Sequence, residues 1–157
     1  MMELVLILRW VHIVGATVLL GTGAGIAFFM LIAHQTKDAK IIAHVAGTVV
    51  IADIVFTATA VILQPISGAW LAVETGWKLS EGWILVSLAL YVFVGVFWLP
   101  VVWIQLKMRN LAREADQNLQ ELPPQYFRLF RIWLTCGFPA FLAVMTILWL
   151  MVARPSF

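Results

Sequence analysis

Arg9, His12, Asp53 and Thr57 carry chemistry that so apolar a sequence does not need in order to fold. A neutral imidazole is the commonest haem nitrogen donor, and the core of a helical bundle is a common cofactor site. His12 is therefore a candidate axial ligand to haem, with Arg9 one helical turn earlier and long enough to reach inward. The plainer alternative is a polar side chain satisfied by a neighbouring helix. Asp53 sits within a long apolar run, where a carboxylate costs several kcal/mol unless it is protonated, hydrated or paired. Thr57, four residues on, shares its helical face. Asp53 is a candidate acceptor for the His12 N–H, a proton relay, or an ion-pair partner of Arg9.

The elements that must position these groups are membrane helices. The chain has 157 residues, of which 63% are hydrophobic and 11% charged, which is not the composition of a water-soluble domain. About 20 residues of helix cross a hydrocarbon core of roughly 30 Å, and only helix satisfies its backbone within one segment there. Apolar runs predict spans over residues 4–33, 41–63, 83–106 and 131–152. The expected fold is all-α, a four-transmembrane-helix bundle forming one integral membrane domain over residues 1–157. The first run is too long for a secretory signal and has no basic region before it. Cys136 lies inside the fourth run, so no disulfide framework is expected.

Local signals set the expected boundaries. Gln64-Pro65 ends the second helix, because proline disfavours helix in the residue before it. Residues 66–82 then form an outer connection, with a short interfacial helix over residues 68–74. Pro100 predicts a kink in the third span. Residues 107–122 continue that span as an amphipathic extension with Leu111, Ala115, Leu119 and Leu122 on one face. Pro123-Pro124 stops it. Gly21 and Gly25, with Gly23 between them, predict close helix–helix approach rather than a phosphate loop.

Those boundaries place the polar groups in depth. His12 falls about 10 Å below the outer face and Asp53 about 12 Å below it, so Arg9, His12, Asp53 and Thr57 are expected to form one cluster. His34 and His44 fall near the inner face, too far from His12 to grip the same iron. They are weaker ligand candidates, able to pair with each other across the first hairpin. Met145 and Met151 are candidate sixth ligands, although core filling is the commoner role of such residues.

Lys37, Lys40, Lys107, Arg109, Arg113, Arg128 and Arg131 cluster in two connections, against Arg9, Lys78 and Arg154 on the other side. The positive-inside rule then expects a multi-pass protein of the bacterial inner (plasma) membrane with periplasmic termini. Its expected partners are the lipid bilayer and a membrane protein or a second copy of itself. Nucleic acid is not expected, since the orientation rule already accounts for the basic residues.

The run Arg9-Trp10-Val11-His12-Ile13, continuing through Gly25, Phe28 and Phe29 to His34, resembles the small haem-linked membrane proteins typified by the HemJ-type protoporphyrinogen oxidase. Ile66-Ser-Gly68-Ala-Trp-Leu and Val152-Ala-Arg-Pro-Ser-Phe157 look similar as well. Over nearly its full length the chain looks most like an uncharacterised bacterial family of integral membrane proteins, the domain of unknown function 2269. Gln64-Pro65-Ile-Ser-Gly68 is the piece that carries this likeness. The oxidase resemblance implies haem b, with Arg9, His12 and Gly68 matching a basic residue, a histidine and a loop glycine. The chain departs at Leu90-Tyr91-Val92, where the oxidase has Tyr-His, and at Thr135-Cys136-Gly137, where it has Asn-Glu before the proline.

The first expectation is therefore a b-type haem protein in membrane electron transfer or HemJ-like oxidoreduction. Its alternative is a non-catalytic accessory or structural subunit of a membrane complex. A small-solute transporter is a weaker third, because no internal repeat or pair of broken helices is visible.

Overall fold

The computed structural model describes residues 2–156, almost all of them helical. Helix α1 spans Met2–Thr36. A tight turn at Lys37 and Asp38 follows, with Lys37 at φ 55°. Asp38 caps the next helix by accepting from Lys40 N at 2.8 Å and Ile41 N at 3.1 Å. Helix α2 (Ala39–Ala52) runs through a π-helical turn (Asp53–Thr57) into α3 (Ala58–Glu74) without a break. Gly76, at φ 78°, closes that helix as Trp77 N bonds to Ala72 O at 2.9 Å. Helices α4 (Gly82–Gln117) and α5 (Pro124–Ala153) complete the chain. Four helical rods, of 35, 36, 36 and 30 residues, are long and apolar enough to cross a membrane.

The second rod corrects the sequence reading. Pro65 does not end it; the helix continues to Glu74, and residues 66–74 belong to the rod rather than to a separate interfacial helix. A proline inside a helix leaves the carbonyl four residues back without its donor, here Val61 O. The Tyr91 hydroxyl of α4 donates to that carbonyl. Capping from a neighbouring helix is how a membrane protein keeps such a helix running.

Apolar packing concentrates at the end carrying the α1–α2 and α4–α5 connections, the hairpin end. Met30, Ile42, Ala46, Met108, Ala112 and Tyr126 are fully enclosed there. Ala46 and Ala112 keep α2 and α4 close. The extension of α4 packs into this core through Leu111 and Ala115, and Leu122 joins it from the α4–α5 connection, beyond the helix expected to carry it. Leu119 does not join them: the helix ends at Gln117, and Leu119, at φ 54°, is 94% exposed. At the opposite, terminal end only a small cluster of Ala72, Trp83, Ile84 and Leu150 closes the bundle, with Met151 packed against it. Gly21, Gly23 and Gly25 meet nothing within 4 Å of where a Cβ would stand, so the expected close approach at this motif is absent among the described residues.

Tyr91→Phe is expected to destabilise the folded protein by about 1 kcal/mol, the scale of an interhelical hydrogen bond in a membrane. Unfolding in mixed detergent micelles measures this; an unchanged midpoint would mean that Val61 O needs no external donor.

Candidate functional site

The polar centre of the terminal half lies where α1 crosses α3. Gly15 on α1 and Gly68 on α3 leave bare backbone, and each receives a polar side chain from the other helix. A Cβ on Gly68 would stand 2.9 Å from His12 Cε1, and one on Gly15 would stand 2.6 Å from the Gln64 side-chain amide. The two helices thus exchange side chains, His12 onto Gly68 and Gln64 onto Gly15. With its amide turned to satisfy both ends, Gln64 donates to His12 O at 3.0 Å and accepts from Ala16 N at 3.1 Å. Gln64 and Ser67 are buried, as hydrogen-bonded polar groups in hydrocarbon must be.

Counting protons assigns the His12 tautomer. Ser67 Oγ lies 2.7 Å from Leu63 O and 2.9 Å from His12 Nδ1. A serine has one hydroxyl proton, and two oxygens at 2.7 Å need it between them. Ser67 therefore donates to Leu63 O and accepts from His12 Nδ1–H. The Gln64 amide nitrogen, 3.3 Å from Nδ1, is the looser contact and does not decide the matter. In the neutral ring Nε2 is left with its lone pair. It has no hydrogen-bond partner among the described residues, and it is not sealed from the surface of the helix pair.

Arg9 is exposed, with no hydrogen bond or ion pair among the described residues. Asp53 and Thr57 are buried, and they do not share this site. The Asp53 carboxyl is flanked by Thr57, Trp98 and Gln105, the last two from α4. At 1.5 Å per residue Asp53 lies about 20 Å along the rod from Ser67. The expected single cluster fails because each helix was placed against its own membrane face: counted from the turn they share at Lys37 and Asp38, His12 stands about 25 residues along α1 and Asp53 only about 15 along the second rod. The place behind His12 proposed for Asp53 is taken by Ser67.

The other histidines also separate. His34 stacks flat on Phe130, with centroids 3.6 Å apart and planes 2° from parallel, and its Nδ1 lies 3.3 Å from the Tyr126 hydroxyl. His44 is exposed and does not pair with it. Met145 is 43% exposed, and Met151 fills the terminal cluster. Sequence reasoning missed Gly15, Gln64 and Ser67 as one site. The available signal was the pairing of a polar residue with a small one at helical spacing on both rods, His12 with Gly15 and Gln64 with Gly68.

Gly68→Ala is expected to cost about 1–3 kcal/mol, since its methyl drives the imidazole off Ser67. In a His12→Ala background the same change should cost close to nothing, because the coupling runs through the ring. Equal losses in both backgrounds, measured by thermal unfolding in detergent, would mean that the contact is incidental.

No curated protein and no solved structure matches the chain. One family model does, that of the predicted integral membrane proteins DUF2269, and it aligns with residues 6–155. The match runs through all four membrane-length helices and both faces of the α1–α3 crossing, and the chain belongs to this family of integral membrane proteins.

Proposed function

We propose that the α1–α3 crossing presents His12 Nε2 as an axial ligand to haem b, in a protein of membrane electron transfer or HemJ-like oxidoreduction. The observation that carries this reading is the 2.9 Å contact of His12 Nδ1 with Ser67 Oγ, which the proton count makes an Nδ1–H donor and which leaves Nε2 without a partner among the described residues. A hydrogen-bonded second nitrogen is what fixes the orientation and raises the basicity of a metal-bound imidazole. The residues present fit the group on the donor side. Arg9, exposed one turn further along α1, suits a propionate. Bound haem would supply a one-electron couple. The His12 packing on Gly68 would hold the ring against rotation, and the Gln64 amide would keep α1 and α3 in register. In orientation, the basic hairpin end would face the cytoplasm of the bacterial inner membrane, leaving Arg9, Lys78 and Arg154 on the periplasmic side.

A second reading has its own support. The exchange of His12 and Gln64 across two glycines already gives His12 a structural role, and Gly21, Gly23 and Gly25 meet nothing among the described residues within 4 Å of a Cβ. An accessory subunit that packs this face against a partner would need no cofactor.

Protein purified in detergent from haem-replete cells is expected to show a Soret band and sharp bands after dithionite reduction. His12→Ala should abolish them, while Ser67→Ala should shift the potential or weaken retention. A colourless wild-type protein, or a spectrum untouched by His12→Ala, would leave the accessory reading in its place.

A further inference from the structure

A second polar site lies at the π turn, remote from His12. Asp53, Thr57 and Gln105 are only 4%, 7% and 1% exposed, enclosed by apolar helices near the middle of their rods. Thr57 Oγ1, Gln105 Oε1 and Trp98 Nε1 are fully buried, and none has a hydrogen-bond partner. All three side chains nevertheless flank the Asp53 carboxyl. They face it without closing on it: no hydrogen bond joins Asp53 to any of them among the described residues. The turn itself is wound so that Ala58 N–H reaches back to Asp53 O, five residues away. Such π turns recur at functional sites because they re-aim side chains that an α-helix would send elsewhere.

We propose that Asp53, Thr57 and Gln105 form a binding site for a dehydrated monovalent cation of sodium size, with Trp98 supporting the carboxylate. The donor set consists of the carboxylate oxygens, a hydroxyl and an amide carbonyl. Hard alkali cations take oxygen ligands, whereas borderline and soft metals favour nitrogen and sulfur. No group of three His, Cys, Asp or Glu side chains stands together among the described residues, which leaves a multiply charged ion too little neutralising charge. One carboxylate and one monovalent cation are neutral together, which removes the cost of an isolated charge in hydrocarbon. A proton on Asp53 reaches one acceptor at a time. A cation between the groups draws on the carboxylate, Thr57 Oγ1 and Gln105 Oε1 at once, and Trp98 N–H is free to donate to the carboxylate.

The test is thermal unfolding of the full chain in detergent at fixed pH and constant ionic strength, with sodium exchanged for choline, alongside direct binding of radioactive sodium. Sodium is expected to raise Tm saturably by several degrees over choline, as a ligand selective for the folded state does. Asp53→Asn and Thr57→Val should each abolish that rise and the bound label. Equal Tm in sodium and choline, absence of bound sodium in the wild type, or an Asp53→Asn protein that keeps its sodium response would overturn the proposal. If Asp53→Asn does not fold, Thr57→Val and the wild-type binding measurement decide it. A cluster filled by water or a proton alone gives the flat result.

Discussion

The structure depends on one constraint: inside hydrocarbon, a polar backbone group must find its partner within the protein. Pro65 removes a donor from the second rod, and the carbonyl it frees, Val61 O, is taken by the Tyr91 hydroxyl from another helix. That single contact belongs to the reason the rod runs on to Glu74. Without residues 64–68 in helix, Gln64, Ser67 and Gly68 would not share one face against α1. The His12 environment therefore rests on a hydrogen bond made by a tyrosine that does not touch it.

The bundle separates its tasks along the membrane normal. The hairpin end holds the dense apolar core, with Ala46 and Ala112 drawing α2 and α4 together around Met30, Met108 and Tyr126. His12, Gln64 and Ser67 sit towards the terminal end, while Asp53, Thr57 and Gln105 are buried about mid-rod, with Asp53 roughly 20 Å along the rod from Ser67. At that separation Asp53 does not touch His12; the polar neighbour of the imidazole Nδ1 is Ser67, 2.9 Å away.

Glycine has opposite roles in the two halves of α1. Gly15 is buried because a side chain from α3 occupies the space its missing Cβ leaves. Gly21, Gly23 and Gly25 have the pattern of a packing motif, yet among the described residues nothing comes within 4 Å of where their Cβ atoms would stand. A small-residue motif shows that close approach is permitted. Whether an approach occurs depends on a partner helix presenting something shaped to use it.

Several features were legible from composition and spacing alone. The apolar runs gave four membrane helices, because only helix satisfies its backbone in lipid, and the position of His12 on the first helix followed from its place in the run. The extension of α4 past Leu106 was readable from its Leu and Ala periodicity as far as Ala115. Tertiary structure decided what those residues meet. No local rule says that a tyrosine from another helix will take the carbonyl freed by Pro65, so the end of the second rod could not be read. The π turn is equally silent in sequence, since no proline or glycine marks Asp53–Thr57. Partner identity is a three-dimensional property: His12 faces Ser67 and Gly68, and Asp53 faces Trp98 and Gln105, because antiparallel registry between rods selects neighbours that are distant in the chain.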